Sequence, residues 1–425
     1  MAKAKQTPGL ALRLVAAERL AAVLRGASFA PLTAAELPEP RDRAVANRLV
    51  TTALRHLGPL RRLCETLLVR GMPKKSGLFE PVLLLSLAQL LVLPELGAHS
   101  ALFLAGEAMR ADPKSQHLVK LMNGVLRTAQ RQPAAVSVEA DALFPPHLLV
   151  GWRAMYGVDA VEAFGRALLE GAPLDVTLKA DDPGLGGSPV LADTVRIVER
   201  DRAVEQLPGY ADGRFWVQDA AAAIPARLMG LPTGARVLDV GAAPGGKTAQ
   251  LAKAGYEVTA LERDPARIER LRANLGRLGY VAAIVTADAL DYVPEHGFDG
   301  VLLDAPCSAT GIFRRHPEVV WHRDAADIAG RVAVQRQLIG RATICLNPGG
   351  VLLYCVCSLQ PEEGESQAEW ALSQGLEPWP ITAAELGWAV PVTAAGFVRT
   401  HPGQTVPGEK GGTLDGFFVA RFRRR

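Results

Sequence analysis

The chain has 425 residues, of which 49% are hydrophobic and 21% charged, as in a globular protein of two or three domains. Its net charge is only +3, and its longest apolar run, residues 82–93, is too short to span a bilayer. The first residues lack the apolar core of a signal peptide, and five cysteines are an odd number for a disulfide framework. These features exclude a transmembrane or disulfide-stabilised secreted protein and predict a cytoplasmic protein with reduced thiols.

The first third of the chain, from about residue 9 to residue 132, has apolar residues at helical spacing throughout. Helices are predicted near residues 10–24, 41–57, 60–70, 78–93, 99–110 and 115–131. Residues 1–132 contain 19 Lys+Arg and 9 Asp+Glu, whereas the remainder contains 28 and 35. A basic all-α module before an acidic remainder indicates an anionic partner such as RNA, although a solvated helical surface would have the same charge.

The last two of these helices carry sequences that resemble a known family. His99 precedes A-L-F-L-A-G-E-A, and L-M-N-G-V-L-R runs from Leu121 to Arg127. These segments resemble the closing helices of the NusB family of RNA-binding helical domains. The resemblance implies a NusB-like all-α domain over residues 1–135 that binds RNA. A purely structural or protein-docking role for this module stays open.

Residues 140–220 are predicted to form a small α+β connector domain. Two helices are expected near residues 147–156 and 159–171, and residues 173–179 alternate like a strand. Glycines and an Asp-Gly turn follow and indicate loops. The sequence of this connector suggests no chemistry of its own.

From residue 221 to residue 425, short strands alternate with helices, which predicts a parallel, doubly wound α/β sheet of the Rossmann type. Strands are expected at residues 236–240, 257–261, 283–287, 300–304 and 350–355. Ligands of such sheets bind outside the carboxyl ends of the strands. The residues that follow these five strands are therefore the candidates for a functional site.

The first of these strands leads into Gly241–Thr248, which fits the phosphate-binding pattern G-x-x-x-x-G-K-[ST]. In a nucleoside triphosphatase, this loop would hold phosphates and Asp304, after the fourth strand, would bind magnesium. The same segment also has the acidic-then-small spacing of a nucleoside-binding Rossmann-type turn, at Asp239, Gly241, Ala243 and Gly245.

Acidic residues at the strand ends favour a nucleoside-containing methyl donor. An anion at Asp239 would repel a triphosphate but could orient a cationic methionine moiety. Glu262, after the second strand, can accept hydrogen bonds from both hydroxyls of a ribose, although it could also be a surface acid that caps the next helix. Asp288, after the third, suits an adenine edge or its ribose. Asp304 precedes Ala-Pro-Cys and has no adjacent carboxylate to activate water. The nucleoside triphosphatase is kept as an alternative.

The fourth and fifth strands end in cysteines. Cys307 lies in D-A-P-C-S and Cys357 in C-V-C-S, and neighbouring strand ends would bring both to one side of a cleft. Two sulfurs without further ligands make a poor zinc site, so no metal is expected. Cys357 is the candidate for accessible chemistry because Cys355 lies two residues deeper. The cluster Arg314–His316 is a possible source of the positive charge that a nucleophilic thiolate needs.

The other two cysteines, Cys64 and Cys345, lie on apolar helix faces. Free cysteines in such positions behave as small hydrophobic residues. We therefore assign them no function.

Three segments resemble the motifs of the Nop2/Sun (NSUN) family of RNA cytosine-C5 methyltransferases. They are D-V-G-A-A-P-G-G-K-T (239–248), D-A-P-C-S-A-T-G-I-F-R-R-H-P-E (304–318) and Y-C-V-C-S-L-Q-P-E-E-G-E (354–365). The resemblance implies a Rossmann-like class I methyltransferase domain with S-adenosylmethionine as the cofactor. The residues that it assigns to the cofactor are Gly241, Ala242, Ala243, Pro244, Gly245, Gly246, Lys247, Glu262, Asp288 and Asp304.

The resemblance also implies a reaction, the methylation of C5 of a cytosine in RNA. Cys357 would add to C6 as the nucleophile, Cys307 would assist product release, and Asp304 would hydrogen-bond the N3/N4 edge of the base. Lys247 would lie near the carboxylate of the donor or near the RNA. In place of Gly241 many relatives carry cysteine, an exchange between small residues that should leave donor binding intact.

The partner that this resemblance implies is 16S ribosomal RNA, with transfer RNA as the alternative. A non-catalytic RNA-binding factor would require both cysteine motifs to be incidental. We expect no membrane contact and no obligate protein partner.

Overall fold

The computed structural model describes residues 7–133, 135–191, 193–197, 203–386, 392–404 and 413–425. The chain divides into two compact units. The helical unit consists of the described parts of residues 1–150, with 168–170 and 315–322, and the α/β unit contains the other described residues. Separate connector and methyltransferase domains, at residues 140–220 and 221–425, stay a prediction.

Most of the helical unit consists of the predicted helices. They are α1 (Leu10–Leu24), α2 (Pro40–Arg55), α3 (Leu57–Leu67), α4 (Phe79–Leu91), α5 (Ala98–Ala111) and α6 (Val119–Arg131), and a short helix that the sequence does not predict, α7 (Ala140–Leu143), follows them. Helix α4 lies in the core because it is apolar on nearly all sides, and Leu83 to Leu85 are fully buried. The predicted helices near residues 41–57 and 60–70 leave a break at Gly58 and Pro59, and this position of the break is wrong. These two residues lie in the first turn of α3, where the missing N–H of proline is not needed.

Residues 146–217 form two helices and a small antiparallel sheet, so the predicted α+β character is confirmed. The elements are α8 (Pro146–Tyr156), α9 (Val158–Glu170), β1 (Leu174–Leu178), β2 (Ser188–Leu191), β3 (Thr194–Ile197) and β4 (Phe215–Val217). The strand order is β2-β3-β1-β4. Buried Arg196 donates two hydrogen bonds to buried Asp175, of 2.7 and 2.9 Å, and so joins β3 to β1.

The remaining chain forms an eight-stranded sheet and the helices that connect its strands. The elements are α10 (Ile224–Arg227), β5 (Arg236–Val240), α11 (Gly246–Lys253), β6 (Glu257–Glu262), α12 (Pro265–Leu278), β7 (Ala283–Thr286), β8 (Phe298–Asp304), α13 (Ala325–Cys345), β9 (Leu346–Val356), α14 (Glu365–Ala371), β10 (Leu376–Pro378), α15 (Ala383–Leu386), β11 (Val398–Thr400) and β12 (Phe417–Arg424). The strand order is β10-β12-β9-β8-β5-β6-β7, and β11 also pairs with β12.

All five predicted strands, β5 to β9, are present and parallel, so the predicted doubly wound sheet is confirmed, and antiparallel strands that were not predicted extend it. Strand β12 lies antiparallel between β9 and β10, with Phe418 opposite Val356. Strand β12 thereby covers an edge of β9 that would otherwise be exposed.

The order of the strands reverses next to β5, since β6 and β7 follow on one side and β8 and β9 on the other. In doubly wound sheets such a reversal opens a crevice at the carboxyl ends of the strands. Strands β8 and β9 are neighbours, with Asp304 opposite Cys355. Within the ranges that the structure describes, no helix is long and apolar enough to cross a membrane.

Candidate active site

The turn between β5 and α11 approaches its neighbours too closely for a side chain. Gly241 has a φ of +77°, and a Cβ there would lie 2.8 Å from the backbone oxygen of Asp304. Gly245 has a φ of +106°, and its Cβ would lie 2.8 Å from Leu271. Glycine adopts these left-handed conformations without strain. In this backbone, a cysteine in place of Gly241 would therefore be strained.

Asp239, in β5, has one carboxylate oxygen with a partner and one without. It is buried, and its Oδ2 accepts a 2.6 Å hydrogen bond from the hydroxyl of Thr248. Its Oδ1 has no hydrogen-bond partner among the described residues. Burial raises the pKa of Asp239 to about 6, and the bond from Thr248 opposes this shift. A buried carboxylate oxygen that lacks a hydrogen-bond partner suits an ammonium or N–H donor of a ligand.

Glu262, the last residue of β6, is also buried rather than part of the surface. Its Oε1 accepts hydrogen bonds from the backbone N–H groups of Arg263 and Asp264, at 3.0 and 3.1 Å. Its Oε2 has no hydrogen-bond partner among the described residues, although the guanidinium of Arg267 lies 3.0 Å away. Asp264, not Glu262, caps helix α12. The Oε2 side of Glu262, which faces the half-exposed guanidinium of Arg267, can therefore receive the two hydroxyls of a ribose.

Asp288 follows β7 and is more exposed than the other two acids. It lies 3.3 Å from Arg263, and its Oδ1 accepts a hydrogen bond from the backbone N–H of Leu290. Three carboxylates thus lie at or just beyond the carboxyl ends of the neighbouring strands β5, β6 and β7, beside a glycine turn and the N-terminus of α11. These residues fit an adenosine with an attached ammonium group, and so they fit S-adenosylmethionine.

The structure brings Lys247 to Asp304, a contact that the sequence analysis missed. The ammonium of Lys247 lies 2.8 Å from Oδ2 of Asp304. Burial is the largest single influence and lowers the pKa of Lys247, but the charge and hydrogen bond of Asp304, together with Cys355 and Cys357, leave the pKa above its ordinary value. The charge of Lys247 is therefore matched by a carboxylate, unlike that of a lysine that binds phosphates.

Cys355 lies on the other side of Asp304. Its Sγ is 3.7 Å from Oδ1 of Asp304, and its side chain is fully buried. Burial and the nearby carboxylate raise its pKa well above the ordinary value of a thiol. Cys355 therefore stays protonated and is unsuited to act as a nucleophile.

The two candidate catalytic cysteines meet at the ends of adjacent strands. The Sγ atoms of Cys307 and Cys357 are 3.5 Å apart. Cys307 is buried and Cys357 is partly exposed. The pKa of Cys307 is raised well above that of a free thiol, mainly by its contact with Cys357 and secondly by burial. Of the two, Cys357 is the more accessible to a substrate.

Arg314 has partners other than a thiolate. It is fully buried, and its Nε donates a 2.7 Å hydrogen bond to Asp415. Its Nη2 donates to Asp219 at 3.4 Å. Two carboxylates thus match its charge, so Arg314 is not an unpaired cation available to a thiolate. His316 pairs with Glu318 in the segment that belongs to the helical unit.

Cys64 and Cys345 are buried, as predicted.

The site combines carboxylates that can receive a ribose and an ammonium with two thiols, and its lysine is paired with a carboxylate rather than free for a phosphate. This combination is that of a methyltransferase that uses S-adenosylmethionine. The comparisons with known proteins lead to the same class. Residues 227–423 match the family model described as 16S rRNA methyltransferase RsmB/F, and residues 11–131 match the NusB family. The chain belongs to the RsmB/F family of 16S rRNA methyltransferases, and its methyl donor is S-adenosylmethionine.

The relatives cover nearly the whole chain. It is 37% identical to the ribosomal RNA small subunit methyltransferase B of Xanthomonas campestris pv. campestris, over 99% of this chain and 98% of that protein. It is 36% identical to the protein of the same name from Xylella fastidiosa, over 97% of this chain and 98% of that protein. The motifs indicate a resemblance to this particular methyltransferase (Sun or Fmu) within the NSUN family, and that resemblance is confirmed.

Solved structures support the same fold. The crystal structure of PH0851 has a TM-score of 0.79 at 20% identity and covers 99% of this chain and 100% of that one. The crystal structure of NSun6 from Pyrococcus horikoshii with SFG has a TM-score of 0.57 at 19% identity, over 68% of this chain and 99% of that one. Because the family model and the relatives of 36–37% identity show a methyltransferase, the nucleoside triphosphatase and the non-catalytic factor are set aside.

We expect Asp239→Asn to stabilise the unliganded protein while weakening donor binding. Because burial raises the pKa of Asp239 from 3.8 to about 6, its ionisation opposes folding. Ionisation of Asp239 does not lower the free energy of unfolding below pH 3.8, and it lowers it by its full amount, roughly 3 kcal/mol at most, above pH 6. Asparagine removes it, so the Tm at pH 8 should rise by a few degrees. Loss of the charged acceptor should weaken S-adenosylmethionine about 10-fold or more.

Thermal unfolding and calorimetric titration with S-adenosylmethionine measure both effects. The matched control is Glu257→Gln, which removes an exposed carboxylate at the opposite end of β6 and should change neither quantity. An Asp239→Asn variant that binds the donor with wild-type affinity would exclude Asp239 from the donor site.

Proposed function

We propose that this protein methylates C5 of a cytosine in 16S ribosomal RNA through a covalent bond between Cys357 and C6 of the base. The observation that supports this most directly is the 3.5 Å contact between Cys307 and Cys357 at neighbouring strand ends. A pyrimidine C5 is a poor nucleophile towards a methyl donor. Addition of a thiolate to C6 converts the ring into an enamine that is nucleophilic at C5.

In the first step, the thiolate of Cys357 bonds to C6, and the electron pair of the C5–C6 double bond moves onto C5 and towards C4 and N3, so that C5 becomes nucleophilic. Asp304 accepts a hydrogen bond from the N4 amino group and orients the base. Lys247, 2.8 Å from Asp304, holds that carboxylate in place. When bound, S-adenosylmethionine would supply the electrophilic methyl group that C5 receives, and its sulfonium would keep the bonding electrons and leave as the thioether of S-adenosylhomocysteine. Asp239 and Glu262 bind and orient this donor.

In the second step, H5 leaves C5 as a proton to water, and the bond between Cys357 and C6 breaks to restore the thiolate. Cys307 assists this release. Because its pKa is raised, Cys307 is a thiol at neutral pH and can donate a hydrogen bond to the departing sulfur. The product is 5-methylcytosine, and both cysteines return to their initial state.

The basic helical unit, which contains the NusB match, is proposed to bind the ribosomal RNA. The target cytosine must be unpaired, or flipped out of its stem, before Cys357 can reach it. A ribosomal RNA substrate and five free cysteines are consistent with an enzyme of the cytoplasm.

Bisulfite sequencing of ribosomal and transfer RNA from a deletion strain tests the substrate. We expect a single 5-methylcytosine of 16S RNA to disappear and to return when the wild-type protein is supplied. If methylation is lost in transfer RNA instead, the enzyme acts on a different RNA. If no 5-methylcytosine is lost, the proposed reaction is wrong.

A further inference from the structure

Close to the two cysteines lies a buried polar network that the reaction described above does not use. Ser308, Thr310, Gln335, Ser358 and Glu363 are all fully buried. Burying a carboxylate is costly unless donors surround it. The partners of Glu363 therefore indicate what the network does.

Four donors surround the carboxylate of Glu363. Its Oε1 accepts hydrogen bonds from the backbone N–H of Ser308, at 2.8 Å, and from the side chain of Gln335, at 3.0 Å. Its Oε2 accepts from the hydroxyls of Ser308 and Ser358, each at 2.5 Å. An ionised carboxylate can only accept hydrogen bonds, so both hydroxyl hydrogens point towards it. The direction of these two hydrogens decides which of the other groups in the network donate and which accept.

The two serines are the immediate neighbours of the two cysteines. Ser308 follows Cys307 at the end of β8, and Ser358 follows Cys357 at the end of β9. Gln335, from α13, also donates to the backbone oxygen of Pro306 at 3.0 Å, on the other side of Cys307. One carboxylate thus joins the backbone segments that carry both sulfurs.

The orientation of the serine hydroxyls also determines the hydrogen bonds of the turn after Cys357. With its own hydrogen directed at Glu363, Ser358 accepts at Oγ from the backbone N–H of Gln360, at 3.0 Å. Thr310 accepts from the backbone N–H of Leu359, also at 3.0 Å. Glu363 orients Ser358 directly, and Thr310 is linked to it through the hydroxyls of Ser308 and Ser358, at 3.1 and 3.3 Å. These two acceptors hold the backbone that presents Cys357.

We propose that Glu363 is a positioning residue that fixes the separation of the Cys307 and Cys357 sulfurs by holding the residue after each cysteine. The inference rests on the proposed function, in which Cys357 attacks the base and Cys307 assists release. The negative charge of Glu363 has a second effect. It adds to the influence of Cys357 and of burial in raising the pKa of Cys307, so that Cys307 remains a thiol.

The first test compares Glu363→Gln with Glu362→Gln, an exposed neighbour that should behave as the wild type. Glutamine keeps the shape but replaces one acceptor oxygen by a donor, so the serine hydroxyls must turn away. We expect kcat on unmodified 16S RNA to fall about 100-fold, as for a misplaced reacting group, with the KM for S-adenosylmethionine unchanged. A wild-type kcat in Glu363→Gln, or an equal fall in Glu362→Gln, would overturn the proposal.

The second test does not depend on methylation. The rate at which iodoacetamide alkylates Cys307 is measured against pH in a Cys357→Ser background, with and without Glu363→Gln. Loss of the charge should shift the alkylation profile of Cys307 to lower pH, and an unchanged profile would contradict the electrostatic role. If the wild type fails to methylate 16S RNA, the proposed function is wrong, but this profile still tests Glu363.

A third variant covers the case in which Glu363→Gln does not fold. Ser358→Ala removes one of the four donors and leaves the carboxylate paired with the other three. We expect a smaller fall in kcat, again with the KM for S-adenosylmethionine unchanged. Wild-type kcat in a folded Ser358→Ala variant would overturn the positioning role.

Discussion

Replacing Cys357 by alanine is expected to abolish methylation while S-adenosylmethionine still binds. Without the sulfur, C6 receives no nucleophile and C5 remains unreactive. We expect kcat to fall on the order of 10⁴-fold or more, as when an enzyme loses its nucleophile. Donor binding should persist because Asp239 and Glu262 belong to β5 and β6, whereas Cys357 follows β9.

Incorporation of labelled methyl groups into unmodified 16S RNA measures the loss of activity, and calorimetry measures donor binding. Cys345→Ala is the matched control, since it removes a buried cysteine of α13 outside the proposed site. It should methylate at close to the wild-type rate. Substantial turnover by the Cys357→Ala variant would remove Cys357 as the nucleophile.

Replacing Cys307 by alanine is expected to trap the enzyme on its RNA. The bond between Cys357 and C6 can still form, because Cys357 is untouched and remains partly exposed. Its breakage should be slow, because no thiol is left 3.5 Å from the departing sulfur to donate a hydrogen bond. The covalent adduct should therefore accumulate when RNA and S-adenosylmethionine are both present.

The adduct is detected as a slowly migrating band on a denaturing gel that disappears after ribonuclease treatment. The double variant Cys307→Ala/Cys357→Ala is the control, and it should give no such band. A folded Cys307→Ala protein that binds S-adenosylmethionine but forms no adduct would contradict the role of Cys307 in release.

Much of the α/β fold could be predicted because its signals are local. Helix α12 begins at the capping residue Asp264 and ends at Gly279, which has a left-handed conformation. Each signal lies within a few residues of the element that it bounds. Strand β12 could not be predicted in this way, because its position depends on pairing between Phe418 and Val356, which are distant in the chain.

The sequence alone determined the class of site, because every strand of a parallel sheet presents its carboxyl end at one edge. This rule was sufficient to place Cys307 and Cys357 together and the acids Asp239 and Glu262 beside the glycine turn. The environment of each group was decided by the tertiary structure. Lys247 pairs with Asp304, 57 positions away, and Ser308 with Glu363, 55 positions away. Packing brings such partners together, and local sequence patterns do not encode those distances.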